Sequence, residues 1–406
     1  MTFENIKKLN LSEYYYILVM IGYTLTLATD KMHPGVFATI LLLGVALELL
    51  LKRRISINTT LDYLVGAYFI YNLLSIIWLL DSGLPATIYF EEFVCSILPI
   101  IFYMVGKTAA ERTAAFYRLF IIAVVFVCTV GLILYITAPT FYLDYLFKLQ
   151  HISDTYASTM RLRLVSVIGS TVLGYLAVCA MLACAYFIKA EKKKAANIIC
   201  FFLNMLCAFM SNQRSAMVVA ILVFIYMNYL IFFVFKMMKK KYLLMELGAM
   251  VLAFIALCVV YMDAVMKIYY RLVSLPGAIG QRSEQWVVAM NTLHSTWLGN
   301  GLGANGHKAL GYEGANVIAD GGLVKLFCEE GVIGFSILVF ILLLAYRKGI
   351  QELEQYYVEI GIISIALLQS IGSNILAFQL ATPIFWFAIG RIASGMMKKD
   401  TNEVHT

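Results

Sequence analysis

Residues 119–138 read LFIIAVVFVCTVGLILYITA, twenty positions without a charge. Crossing the ~30 Å hydrocarbon core of a bilayer takes about 20 residues of α-helix. Lipid offers the backbone no water to bond, so a run this apolar satisfies its own N–H and C=O groups as a helix. The pattern recurs along the chain. Apolar runs over 14–29, 36–51, 61–80, 90–106, 119–138, 164–189, 197–210, 215–236, 243–261, 322–346, 356–379 and 381–397 predict twelve spans. Composition agrees: of 406 residues, 62% are hydrophobic and 14% charged, where a soluble domain has about half and a quarter. That balance excludes an ordinary soluble enzyme, a disordered chain and a secreted disulfide scaffold. The fold class read from the sequence is all-α, a polytopic integral membrane protein forming one membrane domain over 1–406.

Basic residues supply the sidedness. Threading twelve spans from a cytoplasmic N-terminus puts 20 of the 31 Lys and Arg on the cytoplasmic side, in clusters such as Lys52-Arg53-Arg54 and Lys192-Lys193-Lys194. Ten fall on the other side, and Arg391 lies within the last span. Positive residues favour the cytoplasmic face, so both termini are expected there. The first apolar run follows Lys7 and Lys8 without a small-x-small cleavage site, and reads as a retained helix. The eight cysteines sit in or beside apolar runs without metal-ligand spacing and read as small hydrophobes.

Two non-cytoplasmic loops are long, 139–163 and 262–321, and long loops in compact proteins are usually functional. The second is expected to contain a short amphipathic helix from Val287 to Ser295. The basic residues outside are of a distinct kind. Five of the ten are arginine, namely Arg161, Arg163, Arg214, Arg271 and Arg282, whereas the cytoplasmic clusters are mostly lysine. Arginine's planar fork matches phosphate and carboxylate oxygens in pairs. Arg214 stands in a very short turn, Ser211-Asn212-Gln213-Arg214-Ser215, between two spans. A charge near hydrocarbon is costly. Arg214 therefore either snorkels to the interface or lines a water-filled anion cradle.

Further along, Gly299-Asn300-Gly301-Leu302-Gly303 marks a turn with close backbone approach. The apolar stretch Gly331–Tyr346 is roughly 24 Å long at 1.5 Å per residue, which puts Glu329 and Glu330 near the membrane boundary. Lys325 and Glu329 are four apart and form a local pair on one helix face. Asp320 has no such local partner. It reads either as a base for a hydroxyl or as a helix cap. His294 and His307 share the large loop and are secondary bases, with Glu330 a further secondary candidate. The five histidines show no paired metal spacing, and no nucleotide-binding loop or serine-nucleophile motif is present.

The order Arg282…Trp286, Gly299-x-Gly301-x-Gly303 and Leu326-Phe327-Cys328-Glu329-Glu330-Gly331-Val332-Ile333-Gly334 resembles the signature region of Wzy-type O-antigen and capsular polysaccharide polymerases and the related O-antigen ligases. Ser211–Ala216 resembles the family's Ser-x-x-Arg entry to a span, and Arg163 with Gly174 matches an arginine–glycine spacing of some polymerases. Where many ligases carry His-Asn, this chain has Asp320-Gly321, which favours the polymerase branch. The resemblance implies a metal-independent membrane glycosyltransferase on the outer face of a bacterial cytoplasmic membrane. A growing glycan would pass from polyprenyl diphosphate to a lipid-linked repeat unit. Arg214, Arg282, Arg161 or Arg163, and Arg271 would bind diphosphate, and Asp320 would act as base. Implied partners are the lipid-linked oligosaccharide, membrane lipid, a chain-length regulator and a flippase, with no nucleic acid and no cofactor. Ligase-like transfer and a lipid-oligosaccharide flippase or transporter are the alternatives.

Overall fold

The structure is a computed structural model that describes residues 10–29, 34–52, 55–108, 112–137, 163–191, 194–239 and 275–403, with isolated positions between 248 and 273. The described residues are mostly helical, with no strand among them. In chain order the helices are α1 (Leu11–Thr29), α2 (Pro34–Leu51), α3 (Thr60–Leu74), α4 (Ile76–Asp81), α5 (Ala86–Glu92), α6 (Ile101–Thr108), α7 (Thr113–Thr137), α8 (Ser170–Ala190), α9 (Ala195–Met210), α10 (Arg214–Tyr229), α11 (Leu275–Asn291), α12 (Gly322–Gln351), α13 (Leu353–Gly372) and α14 (Thr382–Glu403). Among the described residues, seven helical segments are long and apolar enough to cross a membrane, including Thr60–Asp81, Ala86–Thr108 and Gly322–Gln351. The chain is thus a polytopic membrane protein. All of the predicted span 243–261 except Gly248, and all of the loop 139–163 except Arg163, lie outside the described residues.

Lipid exposure is visible in the side chains. On α2, Leu42, Val45 and Leu49 face inward, while Leu43, Leu47 and Leu50 are more than half exposed. Both faces are apolar, whereas a helix bathed in water turns a polar face outward. Helix α8 is buried along nearly its whole length and forms the axis of the bundle. Helices approach one another closely through small residues, as lipid-embedded packing requires. A Cβ on Gly390 would lie 1.9 Å from the Tyr103 carbonyl oxygen, and one on Gly106 would lie 2.1 Å from that of Phe387. This close crossing of α6 and α14 lets Phe387 stack on Phe116 at 3.7 Å between centroids.

Two helix boundaries differ from expectation. The short helix expected at 287–295 is α11, which starts at Leu275. The run 356–379 stops being α-helical at Gly372. Ser373 is extended (φ −161°), and a single 3-10 turn follows at Ile375–Ala377.

The most consequential departure from regularity is a break inside α12 at Gly331 (φ 61°, ψ −169°). A helix broken in this way frees carbonyls that need new donors. The glycine loop supplies them: the Asn300 N–H donates to the Cys328 carbonyl at 2.8 Å and the Gly301 N–H to that of Glu329 at 3.0 Å. In return the Val332 and Ile333 N–H groups donate to the Thr296 and Trp297 carbonyls at 3.0 and 3.1 Å. Gly299 (φ 76°) has no room for a side chain, since its Cβ would sit 2.5 Å from the Glu329 carbonyl oxygen. The Gly-x-Gly-x-Gly run is therefore a backbone-to-backbone joint between the loop and the broken helix.

Left-handed strain costs about 1–3 kcal/mol, and each displaced hydrogen bond adds roughly 1 kcal/mol. Gly299→Ala and Gly331→Ala should each lower the melting temperature of the purified protein and its monodisperse yield. Gly66→Ala, in α3 with open space around the new methyl, should leave both unchanged. Equal melting temperatures for all three variants would remove the joint.

Candidate anion-binding cavity

The residue before α8, the start of α10 and the end of α9 are drawn together by local bonds. The Leu164 N–H donates to the Met210 carbonyl at 2.8 Å. Gln213 Nε2 donates to Ser170 Oγ and Thr171 Oγ1 at 3.1 and 2.9 Å. Gly174 permits the approach, because a Cβ there would lie 2.8 Å from Ala216 Cβ and 2.9 Å from Ser211 Oγ. Asn212 turns the chain in the left-handed region (φ 51°), which asparagine tolerates. Arg214 thus becomes the first residue of α10, and it lines the same cavity as Arg163. The arginine–glycine spacing at 163 and 174 acquires a physical reason: the glycine brings the second arginine to the first.

Helix α11 brings the third. Arg282 and Trp286 are one turn apart and share a face. Arg282 Nη2 meets Asp320 Oδ2 at 2.6 Å, and Trp286 Nε1 donates to the Asp320 carbonyl at 2.8 Å. Gly321 (φ 126°) makes room for this indole, since a Cβ there would fall 2.5 Å from Trp286 Nε1. Asp320 does not cap α12: Gly321 is the cap residue and no side chain bonds the free N–H groups. The aspartate is instead the ion-pair partner of an arginine 38 residues away.

Three successive carbonyls of the wall are each held by a cavity-lining side chain. The Ile318 carbonyl accepts from Asn374 Nδ2 at 2.7 Å, the Ala319 carbonyl pairs with His307 Nε2 at 3.0 Å, and the Asp320 carbonyl takes the tryptophan. A carbonyl only accepts, so this contact puts the hydrogen of a neutral His307 on Nε2 and a lone pair on Nδ1. Asn374 is available for this role because α13 ends two residues earlier.

The resulting cavity has a volume of about 920 Å³ and is lined by Arg163, Arg214, Arg282, Asp320 and His307. Three guanidiniums face one carboxylate, leaving two positive charges in excess. Arg214 feels the like charges of Arg282 and Arg163 and the opposite charge of Asp320. Arg163 Nε is buried without a hydrogen-bond partner among the described residues. The N-terminus of α10 adds the positive end of a helix dipole. The floor is apolar: Val218 and Leu222 of α10, and Leu368 and Ile371 of α13. These four are also 37, 42, 40 and 52% exposed. The cavity is therefore open along an apolar slot between α10 and α13. Leu222 lies eight residues beyond Arg214, roughly 12 Å along the helix.

The other sequence candidates lie elsewhere. His294 Nε2 meets Asp81 Oδ2 at 2.8 Å, with both side chains well exposed, and does not line the cavity. Glu330 is buried in the core and accepts from Tyr68 Oη at 2.5 Å. Lys325 and Glu329 form the expected local pair at 3.1 Å, together with a partner from another helix, Glu92. Arg161 and Arg271 lie outside the described residues. Asn374 and Glu92 went unnoticed in the sequence; the only signal for Glu92 is a charge within an apolar run. Compared with known families and with curated proteins, the chain matches no family model and no curated protein.

A charge-assisted hydrogen bond contributes about 1.5–3 kcal/mol. Arg214→Ala should therefore weaken binding of inorganic pyrophosphate by purified protein about 10- to 100-fold, and Arg214→Lys by less, as measured by calorimetry in detergent. An unchanged dissociation constant in Arg214→Ala would remove this arginine from the cradle.

Proposed function

We propose that the protein transfers a glycan from a prenyl diphosphate to the hydroxyl of a lipid-linked acceptor, polymerising repeat units on the outer face of a bacterial cytoplasmic membrane. The twelve-span topology with both termini cytoplasmic belongs to this reading. One observation carries it: a cavity with a triple-arginine head is continuous with an apolar slot that opens toward lipid. That shape and charge complement a molecule with an anionic head and a long hydrocarbon tail. A soluble phosphate compound has no use for the slot.

The chemistry follows from the arrangement. The bond between the donor's anomeric carbon and the diphosphate oxygen breaks, and the acceptor oxygen bonds to that carbon. Negative charge then gathers on the leaving diphosphate, where preorganised donors are most effective. Arg163, Arg214 and Arg282 stabilise it there. Asp320 holds Arg282 through Oδ2 and takes the acceptor's proton through Oδ1. His307 Nδ1 is the second proton acceptor in the same wall. The diphosphate is already an activated leaving group, so the reaction consumes no nucleotide.

The direct test uses purified protein in nanodiscs with a prenyl-diphosphate-linked repeat unit. A ladder of lipid-linked products is expected, lost in Arg282→Ala and Asp320→Ala while both variants remain folded. His307→Gln should slow the ladder without abolishing it. A single transfer to an unrelated acceptor would make the protein a ligase. Movement of intact lipid across the bilayer with no new glycosidic bond would make it a flippase and overturn the transfer reading.

A further inference from the structure

Behind the cavity wall, on the side away from the arginines, lies a buried cluster of ions. Glu92, at the end of α5, is 2% exposed. Its Oε1 meets Lys325 Nζ at 2.6 Å, and its Oε2 lies 3.7 Å from Lys308 Nζ. Lys325 also meets Glu329 at 3.1 Å, and Glu329 Oε1 accepts from the Asn305 N–H at 3.1 Å. Lys308 donates to the Glu91 carbonyl and lies 3.1 Å from Cys95 Sγ. Glycines leave space for the cluster: a Cβ on Gly303 would lie 3.0 Å from Glu92 Cβ, and one on Gly306 would lie 3.0 Å from Lys325 Cε.

The two lysines are not scattered. Lys308 directly follows His307 in the 3-10 turn His307–Ala309. Lys325 sits in the first turn of α12, just beyond Asp320. One carboxylate, on a helix that lines none of the cavity, grips both wall segments that carry proton acceptors. A buried ion pair is poor evidence for stability, because desolvation offsets much of the attraction. What such a pair does supply is direction and distance.

We propose that Glu92 is a positioning residue of the transfer site: through Lys308 it holds His307 against the Ala319 carbonyl, and through Lys325 it holds the turn that bears Asp320. This rests on the transfer reading above. Misplacing a reacting group by about 1 Å costs on the order of 100-fold in rate.

The test combines polymerisation kinetics with nitrogen-15 spectra of labelled histidine, the His307 signal being assigned by its loss in His307→Ala. In its neutral form His307 of the wild-type protein should carry its hydrogen on Nε2. Glu92→Gln should mix the two tautomers and lower kcat about 10- to 100-fold, with KM for the lipid donor within about two-fold. Glu92→Asp should restore most of kcat. Lys308→Met, a change at a side chain one quarter exposed, should reproduce the His307 signature, and the double variant should be no slower than the slower single one. That variant also carries the test should Glu92→Gln not fold. Wild-type kcat and an unshifted His307 signal in the folded variants would overturn the proposal, as would strictly additive losses. If wild-type protein forms no product, the transfer reading fails, and the His307 signal alone decides: a shift supports the role of Glu92 and no shift overturns it.

Discussion

A single helix break organises the functional end of this molecule. At Gly331 the backbone of α12 leaves helical geometry, and the carbonyls it frees are bonded by the glycine loop 299–301. That exchange anchors a segment which would otherwise be a surface connection of some sixty residues. Once anchored, the chain between Asn305 and Gly321 is confined between α5, α11 and α13, and its carbonyls are met by His307, Asn374 and Trp286. The ion pair of Arg282 with Asp320 is the last link, tying α11 to the same wall. In this arrangement polar groups near hydrocarbon are tolerated because each has a fixed partner or faces the cavity.

The cavity sets opposite solvents against each other. Its head holds excess positive charge, while its slot is walled by side chains that also face lipid. Three like charges together are costly unless something compensates them. Asp320 neutralises one, and in the proposed reading the anionic head of a substrate neutralises the others. The low-dielectric surroundings that make this cluster unfavourable when empty also strengthen its grip on an anion. Buried ions elsewhere are treated differently: Lys107 pairs with Asp62 at 2.6 Å, and Lys325 and Lys308 are matched by Glu92 and Glu329 in one charge-balanced cluster.

Much of this was legible in the sequence, for identifiable reasons. Apolar runs announce helices because lipid leaves the backbone no other choice, and eleven of the twelve predicted runs overlap a described helix of sixteen residues or more or a continuous helical segment of that length. Arg214 in a two-helix turn was conspicuous because charge is scarce there. Arg282 and Trp286 share a face by simple helical spacing. The pairing of Asp320 with Arg282 was not legible, because its partners are 38 residues apart and meet only through tertiary folding. Nor was the early end of α13, since residues 373–379 are as apolar as a helix but are bent by Asn374 bonding across to Ile318. Glu92 was hidden for the same reason: the adjacent carboxylates Glu91 and Glu92 in an apolar run declare that a partner exists, but not which one.

The central claim is that the arginine head and the lipid-facing slot bind one molecule. Its most direct test is photo-crosslinking with a prenyl diphosphate that carries a benzophenone on its first isoprene units, followed by peptide mapping. The account predicts labelling confined to α10 near residues 218–222 and to α13 near residues 368–371, suppressed by excess pyrophosphate and by Arg214→Ala. Labelling of lipid-facing helices such as α2 or α7 to the same extent, indifferent to pyrophosphate, would contradict it.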